Sequence, residues 1–133
     1  MDNIYNRVLL VAALMTFALF VMMRGQVRNA TLAIVKIPAL SIEAQMGRKA
    51  FDANCKTCHG KNGAGTDQGP PLIHEIYEPD HHSDKSFYRA AKDGVRAHHW
   101  PYGDMPPVKG ITRHDLAGII RYIRELQRAN GIF

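Results

Sequence analysis

Cys55-Lys56-Thr57-Cys58-His59 holds both cysteines of the chain within five residues, so no long-range disulfide shapes the fold and the chemistry of the pair is local. Two thiols separated by two residues can add across the two vinyl groups of one haem. A histidine directly after the second thiol reaches the iron as an axial ligand. A Cys-x-x-Cys pair also has two other readings. A thioredoxin-like dithiol would want a βαβ setting, and a four-ligand zinc site would want two further ligands, which His81 and His82 or His98 and His99 would have to supply. The pentapeptide with its histidine favours one covalent haem c.

If His59 is one axial ligand, elimination points to the other. Of six methionines, Met1, Met15, Met22 and Met23 belong to the apolar start of the chain and Met46 sits beside the apolar stripe of a helix, which leaves Met105. It lies between Gly103-Asp104 and Pro106-Pro107, and a residue before proline is biased toward extended geometry, so the loop is pre-shaped. Thioether ligation opposite histidine raises the potential relative to two histidines. The bland alternative is that Met105 fills a hydrophobic gap. His98 and His99 read as solvated or backbone-bonded loop residues, as do His81 and His82.

Outward from the pentapeptide the chain reads as helix and loop, with nothing that reads as sheet. Ser41 is an N-cap for a helix to about Asn54, with Ile42, Met46 and Phe51 among its apolar residues and Glu43 in its first turn. After His59, the residues Gly60, Gly63, Gly65, Gly69, Pro70 and Pro71 mark a long ordered loop. Ser83 or Asp84 caps a short helix to about Lys92, stopped by Gly94. The last helix is the strongest: Thr112 and Asp115 form a capping-box-like start, and Leu116, Ile119, Ile120, Ile123 and Leu126 fall on one stripe. Arg121, Arg124 and Arg128 complement its C-terminal end, and Gly131 follows as a stop.

The N-terminal part differs in kind. Val8 to Met23 carries no charge and is bounded by Arg7 and Arg24. As a helix those sixteen residues would span about 24 Å, a little under the roughly 30 Å of a bilayer core, so Ile4 and Tyr5 would contribute and the arginines would snorkel. No Ala-x-Ala site follows, which favours an uncleaved anchor over residues 1–24 rather than a signal peptide. Residues 25–40 read as a tether of about 50 Å at full extension, broken by Pro38, and residues 41–133 as the globular domain. Counting flanking positive charges would put that domain in the cytoplasm. Haem attachment to such a motif takes place on the outer side of the bacterial inner membrane, and that consideration outweighs the count.

The 133 residues allow one small domain, and roughly 90 of them outside the anchor and tether are close to where a hydrophobic core alone is marginal. Asp2 and Arg7 cancel, so the net charge of +5 lies wholly beyond the charge-free run Val8 to Met23. It gives a mildly basic surface able to steer an acidic partner, without the lysine- and arginine-rich run of a nucleic-acid binder.

Together these residues resemble the monohaem class I c-type cytochromes over about residues 41–130. Besides Cys55-Lys56-Thr57-Cys58-His59-Gly60, the resemblance rests on Gly47-Arg48-Lys49-Ala50-Phe51, similar to the family's Gly-x-x-x-aromatic in the first helix, on Gly118 with Tyr122 in the last, on Gly69-Pro70-Pro71-Leu72, and on Met105-Pro106-Pro107. It implies an all-α class I cytochrome c fold, three to four helices around one covalent haem, here preceded by one N-terminal transmembrane helix. It further implies a close crossing of first and last helices at the glycines and a Pro70 carbonyl that accepts the His59 ring N–H. Trp100 or Tyr102 would lie over a propionate edge or pack on the haem. The expected site is Cys55, Cys58, His59, Pro70, Trp100 and Met105, with His59 and Met105 on the iron.

The function this implies is one-electron transfer by a carrier, not an enzyme, tethered by a single pass to the bilayer of the bacterial inner membrane with its haem domain on the periplasmic side. Family habit gives a quinol-oxidising cytochrome complex as donor and a terminal oxidase or photosynthetic reaction centre as acceptor. A fixed electron-transfer subunit of a larger membrane complex is the alternative, and a haem enzyme or gas sensor with an open iron site is a more distant one.

Overall fold

The computed structural model describes the backbone of residues 2–27 and 34–133, and within the first helix the side chains of residues 3, 4 and 6–21. The stretch of expected tether at residues 28–33, with Arg28 and Leu32, and the side chains of Tyr5 and Arg24 lie outside the described residues. The chain divides into an N-terminal unit of residues 1–30 and a second unit of residues 31–133.

The first unit is one helix, α1 (Asp2–Val27). Its described apolar side chains are exposed, among them Leu10, Met15 and Phe17. Among the described residues no helix is long and apolar enough to cross a membrane, so the expected span is not supported. The physical reason is length: the charge-free run of the sequence, Val8 to Met23, covers only about 24 Å as a helix against roughly 30 Å of hydrocarbon.

The second unit is built from α2 (Ile42–Asn54), the single turn α3 (Lys56–His59), α4 (Asp84–Asp93) and α5 (Arg113–Ala129), with short 3₁₀ turns at Lys61–Gly63 and Glu75–Tyr77. Both long helices begin where their caps predict. The Ser41 hydroxyl accepts from the Ala44 N–H, and Thr112 and Asp115 form a reciprocal capping box, each satisfying backbone donors that the first turn leaves free. No strand is present among the described residues; one antiparallel bridge pairs Val95 with Met105.

The packing of α2 on α5 sets the core. Gly47 and Gly118 meet with so little room that a Cβ on Gly47 would fall 1.8 Å from the Gly118 carbonyl oxygen. That approach brings the Phe51 and Tyr122 rings to a centroid distance of 5.6 Å, tilted at 60°, and Tyr122 donates from its hydroxyl to Asn62 Oδ1 at 2.9 Å. Ala44, Leu116, Ile119, Ile123 and Leu126 complete the apolar centre, with Leu72, Ile73 and Ala91 packed on it.

Residues 35–40 do not run free of this domain. Lys36 exchanges two 2.8 Å hydrogen bonds with the Asn130 side chain, Val35 and Leu40 pack on the core, and the Ser41 N–H and hydroxyl both donate to the Glu125 carboxylate.

Candidate haem site

A cavity of about 820 Å³ opens between the cysteine turn, α4, α5 and the loop Gly94–Val108. Phe51, Leu72, Phe87, Val95, Val108, Leu116, Ile119 and Ile120 give it an apolar wall, and Cys55, Cys58, His59, Pro70, Trp100 and Met105 all line it. The structure therefore brings every expected site residue to one cavity.

The cysteine turn is formed by local hydrogen bonding. The Cys55 N–H closes α2 on the Phe51 carbonyl at 2.8 Å, and the Cys55 carbonyl then accepts from the Cys58 and His59 N–H groups at 3.2 and 2.9 Å. One turn thus carries both thiols and the imidazole. Gly60 ends it with a φ of +75°, which glycine adopts without a Cβ penalty, and its Cβ position lies 2.2 Å from the Gly65 carbonyl oxygen, so the following loop folds back tightly.

That fold-back delivers Pro70 to His59: Nδ1 lies 2.9 Å from the Pro70 carbonyl oxygen. A carbonyl only accepts, so the proton sits on Nδ1 and Nε2 keeps its lone pair, the form a metal-bound imidazole needs. Burial pushes the His59 pKa down, opposed by this hydrogen bond. Burial, then the neighbouring Cys58, pushes the half-buried Cys55 thiol up to about 11. Both cysteines are free of disulfide.

Across the loop segment Gly94–Val108, Met105 is held by its backbone. The Val95 and Met105 N–H and carbonyl groups exchange two 2.9 Å hydrogen bonds, and Gly94, at φ +79°, gives Met105 room, since a Cβ there would lie 2.6 Å from its carbonyl oxygen. Trp100 is half-buried and donates its ring N–H to the Tyr77 hydroxyl at 3.1 Å, with its ring edge-on to His74 at 5.1 Å. Its indole N–H is thus engaged within the protein.

Two residues that matter here carry no sequence signal. Arg124, read from sequence as a charge complementing a helix end, is 6% exposed. It donates to Asp84 Oδ1, the Tyr77 and His82 carbonyls and Gln127 Oε1. Gln127 in turn donates to the Leu72 and Tyr77 carbonyls at 2.9 and 3.0 Å. These two side chains hold the Leu72, Tyr77 and His82 carbonyls of the cavity wall.

The donor set fits a covalently attached haem: two thiols and an imidazole on one turn, a defined imidazole tautomer, a thioether on the same cavity, and apolar walls. A family model, cytochrome c, matches residues 44–127. No curated protein and no solved structure matches the chain.

Proposed function

This chain belongs to the cytochrome c family, whose members bind haem c covalently and serve electron transfer, and on that premise we propose a one-electron carrier with His59 and Met105 as the axial ligands. When bound, the haem supplies an iron that cycles between the ferrous and ferric states. The chain's own residues do the rest. Cys55 and Cys58 hold the group by thioether bonds, and the Pro70 carbonyl orients His59 and raises its basicity. The bridge to Val95 fixes the backbone of Met105, and the apolar wall would face the bound group.

The observation that carries this reading is the joint lining of one cavity by His59, with its Nδ1 committed to Pro70, and Met105. The ferric holoprotein is expected to show the weak near-infrared sulfur-to-iron band of histidine–methionine ligation, and Met105→Ala to abolish it. A native protein without the band would remove Met105 as ligand and return an open or bis-histidine iron.

The reading extends to place. α1 attaches the domain to the bacterial inner membrane, with the haem domain on the periplasmic side; its support is the charge-free sequence Val8 to Met23 and the chemistry of haem attachment. Redox partners are membrane complexes, a quinol-oxidising cytochrome complex on the donor side and a terminal oxidase or photosynthetic reaction centre on the acceptor side. A fixed subunit of a larger oxidoreductase is the second reading. It is favoured by the docking of residues 35–40 on the domain, which shortens any free tether. Release from membranes by mild detergent as a lone chain supports the mobile carrier, and co-release with stoichiometric companions supports the subunit.

A further inference from the structure

Four of the chain's seven histidines gather in one cluster although they lie in two loops separated in sequence: His82, His98 and His99 line the cavity, and the His81 ring packs against His82 and His99. The His81 and His82 rings are 4.7 Å apart, His98 and His99 are 4.2 Å apart, and His99 reaches across to His81 at 5.5 Å and to His82 at 5.3 Å between ring centroids. We propose that His81, His82 and His99 form a second metal site, for a divalent first-row transition ion of the zinc or copper type.

The ligand nitrogens of these three residues lie within 4.8 Å of one another. Around a tetrahedral ion with metal–nitrogen bonds of about 2.0–2.1 Å, two nitrogens stand roughly 3.4 Å apart. His81 and His99 are exposed, so rotation of their side chains closes the difference without moving the backbone. Three imidazoles with no carboxylate among the three select borderline ions over magnesium or calcium. The fourth position is left to water or to His98.

The scaffold beneath the three rings is built rather than incidental. The turn at Glu78–His82 is closed by the His81 and His82 N–H groups on the Glu78 carbonyl at 3.2 and 2.7 Å. The buried Arg124 guanidinium holds the His82 carbonyl from below. The His82 ring donates from Nδ1 to the Ile76 carbonyl, which leaves Nε2 as the metal-binding nitrogen in the arrangement common to ligating histidines. On the other loop the Asp104 carboxylate accepts from the Ala97 N–H at 2.8 Å, fixing the backbone two residues before His99.

An ion here would tie the Glu78–Ser83 turn to the Arg96–Asp104 loop at the cavity mouth. This site needs no change at the haem iron, and its readout is separate from the iron's. The test is calorimetric titration of untagged ferric holoprotein with zinc chloride at pH 7.5, with the near-infrared band recorded throughout. The expected result is one equivalent bound, a band that does not change, and tighter binding of copper(II) than of zinc. His81→Gln and His99→Gln should each weaken zinc binding at least about tenfold, and His114→Gln, on the remote start of α5, should leave it unchanged. Absence of a saturable equivalent, or equal affinity in His81→Gln, His99→Gln and the native protein, overturns the site. A loss in His98→Gln with none in His99→Gln overturns this ligand set. A band that vanishes as zinc binds shows that the histidines act on the iron instead.

Discussion

The two sides of the haem domain are held by different means. Where α2 crosses α5, backbone meets backbone: Gly47 lies against the Gly118 carbonyl, and the rings of Phe51 and Tyr122 close over the contact. On the other side, the loops that wall the cavity from Leu72 to His82 bury Leu72 and Ile73 in the core, but their backbone needs donors as well. They hang on hydrogen bonds from Arg124 and Gln127 of α5 to their carbonyls. The crossing is specified by shape and cannot yield; the loop wall is specified by polar satisfaction and fails when a donor is removed. α5 serves both.

The largest effect should follow from Gly47→Ala. Its new methyl would fall 1.8 Å from the Gly118 oxygen and 2.2 Å from its carbonyl carbon, and neither backbone atom can rotate away. Separating the helices opens the core, so the loss should exceed about 4 kcal/mol, enough to consume most of the stability of a small domain. Gly118→Ala places its methyl 3.1 Å from the Gly47 Cα, a milder clash worth roughly 1–2 kcal/mol. Urea unfolding of the two holoproteins checks the order. Equal losses would mean that the crossing yields, and the contrast between the two sides would fall with it.

Arg124→Met tests the loop wall. The residue is buried, and its removal leaves the Tyr77 and His82 carbonyls and Gln127 short of a donor, so about 3 kcal/mol should be lost. Its ionic partner is another matter. The Asp84 side chain is 62% exposed, and Asp84→Asn should cost less than about 1 kcal/mol. Gln127→Leu, which removes donors to two carbonyls, should fall between them at about 2 kcal/mol. The ranking sharpens the claim that carbonyl satisfaction, not the salt bridge, holds this side. Asp84→Asn matching Arg124→Met would reverse it.

The same contrast explains what the sequence made legible. The crossing leaves a local trace in each helix: a glycine, a spaced aromatic, a Ser41 or Thr112 cap, an apolar stripe. The cysteine turn and the Pro70 loop are likewise marked by residues whose backbone or chemistry is special. Arg124 and Gln127 leave no such trace, because a polar residue on a helix reads as solvated until the chain it serves folds over it. The four clustered histidines show the same limit. Each pair is visible, but their convergence depends on two loops whose meeting is set by α5 and by the Val95–Met105 bridge. The helix signals also pass over the single turn Lys56–His59, which falls between the first helix of the domain and the glycine-rich loop.

The smallest effect lies at the start of α2, where Glu125 accepts from the Ser41 hydroxyl and N–H at 2.7 and 3.0 Å and from Arg121 at 2.8 Å. Burial raises the Glu125 pKa, but the Ser41 bonds and the Arg121 charge outweigh it and hold the carboxyl below its ordinary value. A carboxyl whose pKa is depressed by folding stabilises the protein fully above its unfolded value of about 4.3, and the contribution fades as the pH drops through the folded value. Glu125→Gln should therefore cost less than about 1 kcal/mol at pH 7, and its deficit against the native protein should shrink as the pH is taken below about 4. Because the glutamine keeps one acceptor for Ser41, a deficit that stays constant with pH would assign the contact to shape and hydrogen bonding alone. It would then belong with the glycine crossing beside it rather than with the donor-held wall across the cavity.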